Sequence, residues 1–149
     1  MSRPNRRHPI ANALAECTPL VVVARMTAAE TAALQQRWRE VFAVRVKAAT
    51  GSWIYRDFDW HAFSYELVYC RRGAQAIAQY QARVAARFLV LPHLAEEPGY
   101  WCESEQLPML HGRDAYVSDP ELTWTMVFTH EDLCGPYFTT RDWAEAKEP

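Results

Sequence analysis

Leu122–Phe138, LTWTMVFTHEDLCGPYF, is the stretch whose reading decides the fold. Its first half alternates. Trp124, Met126, Phe128 and His130 fall on one side of an extended segment, and Thr123, Thr125, Val127, Thr129 and Glu131 fall on the other. One apolar side and one threonine-rich side predict a strand of an antiparallel sheet whose Trp124 side faces the core. Gly135-Pro136 then turns the chain, with Gly135 able to take a positive φ and Pro136 fixing the next residue. Tyr137 and Phe138 are expected to pack back over the strand. His130-Glu131-Asp132 lies where strand and turn meet, with the histidine at the solvent end of the apolar row.

Outward from this strand, Ala115-Tyr116-Val117 reads as a short strand and Asp119-Pro120 as a turn. Leu107–Asp114, with Pro108 and Gly112, reads as a surface loop around His111. Phe88–Leu91 is a buried strand stopped by Pro92, and Tyr100–Glu103 is another. Leu20–Ala24 is a continuous apolar run of strand length. Thr27-x-x-Glu30 is a capping box that opens a helix from Ala28 to about Lys47. Leu34, Trp38, Val41 and Phe42 share one stripe of that helix, opposite Gln35, Gln36 and Arg39, and Gly51 marks its stop. The aromatic segment Trp53–Tyr69 is read as a turn through Asp57-Phe58-Asp59 followed by a strand. Arg71-Arg72-Gly73 is read as a loop and Ala74–Arg83 as a second helix. Thr140–Lys147 is a short terminal helix capped by Thr140, with Trp143 folded back.

Strands and helices are thus interspersed without strict alternation. This predicts an α+β single domain, a mainly antiparallel sheet with two or three helices packed on one face. The 149 residues are half apolar and 13 % aromatic, enough to bury one core across 1–149, with 1–18 a partly ordered tail. A net charge of −2 excludes general attraction to nucleic acid or anionic membranes, which needs surplus Lys and Arg. No run approaches the roughly 18 apolar residues of a membrane span. The basic N-terminus is broken by Pro9 and Asn12 with no apolar segment behind it, so a cytoplasmic location is expected.

The chemistry on offer is sparse. Cys17, Cys70, Cys102 and Cys134 show no C-x-x-C pairing and read as reduced, mostly buried thiols. Cys134 could join His61 and Cys70 around zinc, but no H-E-x-x-H or other ligand spacing supports this, so no metal or cofactor is assigned. Nucleotide-binding glycine loops and the G-x-S-x-G elbow are absent from the sequence. Ser64 with His61 or His130, or Cys70 with a histidine, offers a nucleophile and base only in the generic sense. His8, His93 and His111 read as loop or surface residues.

Two segments carry a resemblance: Trp60-His61-Ala62-Phe63-Ser64-Tyr65-Glu66, and Thr123–Glu131 followed by Gly135-Pro136-Tyr137-Phe138. Over Thr27–Phe138 the chain is similar to a small bacterial family of uncharacterised proteins. Its members carry W-H-x-F-S-Y-E, a central helix pair and T-W-T-x-V-x-T-H-E…G-P-Y-F. The resemblance implies that His61 and His130 belong to the segments that define the family, and it brings no catalytic or binding role with it.

Two functions are expected from different classes. The first is a small cytosolic bacterial protein that binds another protein without catalysis, of immunity (toxin-neutralising) or regulatory type. The Trp-rich, slightly acidic domain without a cofactor signature points there, since aromatics anchor interfaces. The alternative is a small enzyme or ligand-binding domain built from His61, Tyr65, Glu66, His130 and Glu131. It requires the two imidazoles to lie within about 8 Å of each other. The sequence leaves oligomeric state and strand order open.

Overall fold

A computed structural model describes residues 9–17, 21–53, 63, 67–84, 86–93, 97–130 and 135–146 of the chain. Among these residues, seven strands form one sheet: β1 (Val21–Arg25), β2 (Arg71–Arg72), β3 (Arg87–Pro92), β4 (Tyr100–Glu103), β5 (Ala115–Ser118), β6 (Trp124–Phe128) and β7 (Tyr137–Thr140). Their order is β1-β4-β3-β5-β6-β7-β2, and every pairing is antiparallel. The described helices are α1 (Pro9–Ala15), α2 (Ala28–Phe42), α3 (Val44–Thr50), α4 (Gly73–Gln81) and α5 (Arg141–Glu145). The α+β, mainly antiparallel expectation holds, with five described helices where two or three were expected.

The helices do not share one face. Strand β3 shows why: Leu89 and Leu91 point to one side and Phe88 and Val90 to the other, and all four are buried. A strand apolar on both sides must be covered on both. On the first face, Trp38, Phe42 and Val46 of α2 and α3 pack with Ala144 of α5 on Leu89, Leu91, Tyr116, Val127 and Tyr137. On the second face, Ile10 and Leu14 of α1 and Ala76 and Tyr80 of α4 cover Phe88, Val90, Val117, Met126, Phe128 and Phe138.

Strand β6 is therefore central and buried along its whole length, including its threonine side. Thr125 is fully enclosed because its hydroxyl is used three times. It accepts from the Trp38 indole (2.9 Å) and from the Ser118 hydroxyl (2.9 Å), and it donates to the Val117 carbonyl (3.1 Å). A buried polar atom costs little once its bonds are made. Trp38 also stacks on Tyr116, with ring centroids 4.6 Å apart.

Local signals place the helices. The Thr27 hydroxyl accepts the Glu30 N–H at 3.1 Å, as the capping box requires, while the Glu30 carboxylate takes the Trp101 indole at 3.2 Å. The long helix breaks at Ala43 (φ −108°, ψ 18°), which ends α2 and opens α3, and Gly51 at φ 79° closes α3. Gln35, expected on the polar side, is buried and donates to the Pro92 carbonyl at 3.0 Å. At the other end, Thr140 caps α5 by accepting the Trp143 N–H at 3.2 Å.

Helix α1 lies within the expected tail. Buried Glu97, 87 residues away from Ile10, holds it there, because its carboxylate accepts the Ile10 and Ala11 N–H groups at 3.0 Å each. An acid at these first-turn donors also complements the helix dipole.

Two further corrections concern loops. Arg71-Arg72, expected as loop, is the edge strand β2, paired with Phe138 and Tyr137. The Leu107–Asp114 loop is anchored rather than merely superficial: Leu110 is buried, and the Tyr80 hydroxyl donates to the Pro108 carbonyl at 2.6 Å. The strand expected over Trp60–Tyr69 lies mostly outside the described residues, and its described end, 67–70, is not strand.

Candidate functional site

Four strands end together on one rim of the sheet. The register aligns Pro92 with Ala115, Ala115 with Phe128 and Val127 with Tyr137. The next residues outward are His93 after β3, Asp114 before β5, Thr129 and His130 after β6, and Gly135-Pro136 before β7. Antiparallel register thus gathers chain segments far apart in sequence into one row.

His130 is held by Asp114. Its Nδ1 lies 2.9 and 2.8 Å from the two carboxylate oxygens, and its backbone N–H donates to Oδ1 at 3.0 Å. The imidazole is 43 % exposed and the carboxylate 23 %. A carboxylate against Nδ1 keeps the proton on that nitrogen in the neutral ring, so Nε2 is the basic one. This is how acid–base and metal-binding histidines are oriented elsewhere. Asp114, absent from the candidate site residues of the sequence, is the acid that orients the ring; Glu131 and Asp132, which follow His130 in the chain, lie outside the described residues. The only sequence signal for Asp114 is the β5–β6 register itself, which sets it beside the end of β6.

His93 corrects a second expectation. It is buried rather than superficial, with Nδ1 3.1 Å from the Tyr116 hydroxyl, beneath α2 and beside the Gln35–Pro92 bond. It serves the core of the first face. His111 is exposed as expected, its ring edge-on to Phe128 with centroids 5.7 Å apart.

Of the other predicted site residues, His61, Tyr65, Glu66 and Glu131 lie outside the described residues, as do Ser64 and Cys134. Phe63 is the described member of the first motif. It is fully buried, stacks on Tyr137 at 5.8 Å and tilts against Trp38 at 6.2 Å. The Arg72 guanidinium donates to its carbonyl at 2.8 Å. The two motif segments therefore meet in the core at Phe63 and Tyr137.

Among the described residues, no group of three or more His, Cys, Asp or Glu is placed to hold a metal ion. No disulfide joins Cys17, Cys70 and Cys102. Burial pushes the Cys102 thiol up to about 12, and burial followed by the Glu16 charge raises Cys17. Neither thiol is tuned for nucleophilic work, which needs a lowered pKa.

A second surface stands out for its lack of chemistry. Strand β1 bonds to β4 on one side, and its other edge is open among the described residues. Residues 22–25 are all exposed, Val22 by 41 % and Val23 by 46 %. The register slips between Val22 and Ala24, leaving Val23 as an unpaired bulge residue.

No helix among the described residues is long and apolar enough to cross a membrane. No curated protein and no solved structure matches the chain. The chain belongs to the family described as Domain of unknown function (DUF4275), whose model matches residues 21–138, from the start of β1 into β7.

Proposed function

We propose that this DUF4275 protein is a small cytoplasmic bacterial protein that binds another protein without catalysis, of toxin-neutralising (immunity) or regulatory type. The open β1 edge carries this reading. Sheet edges are normally blunted by short strands, Lys, Pro, bulges or a covering element, because exposed N–H and C=O groups recruit foreign strands, and the Val23 bulge is the one such device that interrupts the β1 ladder. Here three valines and an alanine precede a lone Arg25, and no nucleic-acid partner is expected at this charge balance. The test is cross-linked capture by the full-length chain in its source cell, paired with co-expression beside a neighbouring toxin gene. The wild type should hold one partner in stoichiometric amount and Val23→Lys should lose it. A chain that captures nothing and protects against nothing sinks the reading.

The Asp114–His130 pair favours a second reading, a small enzyme or ligand-binding domain on the rim. Turnover of any compound in a panel of esters, phosphoesters and amides, abolished by His130→Asn with unchanged folding, would support it over the first. A panel left untouched by the wild-type protein counts against it.

A further inference from the structure

We propose, resting on the partner-binding reading, that β1 takes up an extended segment of the partner with β-branched apolar residues at alternate positions and a carboxylate set against Arg25. Main-chain bonds to an open edge supply affinity in such an arrangement, and side chains of the added strand supply selectivity. Three observations on β1 specify the guest. The outer edge has no ladder partner among the described residues. Val22 and Val23 are exposed β-branched side chains, and apart from Val84 they are the large hydrophobic residues left exposed among the described residues, so the matching surface is apolar. Arg25 ends the strand in solvent and makes no ion pair among the described residues, so the matching charge is negative.

Charge also decides against the two nearest alternatives. β1 contains no carboxylate, so a second copy pairing β1 with β1 would offer Arg25 no acid on the added strand itself, the nearest being Glu103 one strand further in on β4. The chain's own residues 1–8 carry Arg3, Arg6 and Arg7 and no acid, and would bring like charge to the same place. A foreign acidic strand answers both requirements.

Two end-blocked fluorescent peptides, TVTVTVDD and TVTVTVKK, test the assignment by anisotropy with the full-length chain. TVTVTVDD should bind about ten-fold tighter at low salt, with the gap narrowing in about 1 M salt, because exposed pairs are screened. Arg25→Glu should reverse the preference. Val23→Pro should abolish both complexes at unchanged circular dichroism; if that variant does not fold, the Arg25→Glu reversal carries the test alone. Equal binding of the two peptides, binding of neither, or no reversal overturns the proposal. So does a wild-type dimer in light scattering that Val23→Lys converts to monomer, since a second copy then occupies the edge. The broader reading fails separately. A cellular partner held equally by wild type and Arg25→Glu leaves partner binding standing and removes β1. Peptide reversal without any cellular partner does the opposite.

Discussion

Thr125 shows how much one hydroxyl organises in this protein. It receives the Trp38 indole and the Ser118 hydroxyl and passes its own proton to Val117, joining α2, β5 and β6 at one buried point. Replacing it by valine keeps the shape and strands two buried donors. Thr125→Val should therefore cost about 1–3 kcal/mol, read as a lower urea midpoint at unchanged slope. Adding Ser118→Ala should cost less in that background than in the wild type, because one stranded donor disappears. An additive pair would show that the hydroxyls act independently. Strand alternation alone could not reveal this role. Thr123, Thr125 and Thr129 read as a polar side, because the partner that takes Thr125 indoors, Trp38, is 87 positions away. The Asp114–His130 contact was hidden for the same reason, since it exists only once β5 and β6 are in register.

At the scale of elements, local punctuation was legible and long-range ties were not. Thr27, Gly51 and Thr140 announce helix ends through their own chemistry, and the valine run at β1, the apolar run at β3 and the alternation at β6 announce strands. The two-residue strand β2 carries no pattern of its own and exists because Arg71 and Arg72 meet Phe138 and Tyr137. Helix α1 is the clearest case. Its seven residues are too few to persist alone, and a carboxylate from beyond β3 supplies what the segment lacks. Glu97→Ala should cost about 1.5–3 kcal/mol, the range for hydrogen bonds to charged groups. Hydrogen exchange at Ile10 and Ala11 should accelerate far more than exchange in β6. Equal acceleration in both places would mean that Glu97 supports the whole sheet rather than one helix.

Across the whole molecule, burial on both faces leaves several weak acids in places where their anions are unwelcome. Burial raises Tyr80 well above its ordinary value and pushes Cys102 up to about 12; Tyr100 is raised by burial first and by the Glu97 charge second. Each is neutral when folded and ionises at its ordinary value, about 8.5 for Cys and 10 for Tyr, when unfolded. Below about pH 8.5 both states hold these protons and stability is complete. Above it the unfolded chain gives them up first, so stability falls as pH climbs through 9 towards 12. Urea midpoints between pH 7 and 11 should show this decline, and Cys102→Ala should delay its onset. A flat profile would mean that the folded interior admits these anions. The two-faced burial behind this behaviour was only half legible: β3 showed it plainly, while β6 concealed it behind Thr125, which makes its bonds indoors.

The order of the sheet carries a consequence for biosynthesis. Spatially, β4-β3-β5-β6-β7 is an unbroken run of antiparallel neighbours, and all five come from residues 87–140. Both outer strands, and four of the five described helices, come from before residue 87. A ribosome releasing this chain from its N-terminus therefore delivers the edges and most of the covering layers before the framework that they cover. β1 waits for residue 100, and β2 waits for residue 137. For that interval the nascent first half presents the apolar stripe of α2 and the valines of β1 with no sheet to receive them, which is the circumstance in which chaperones engage a chain.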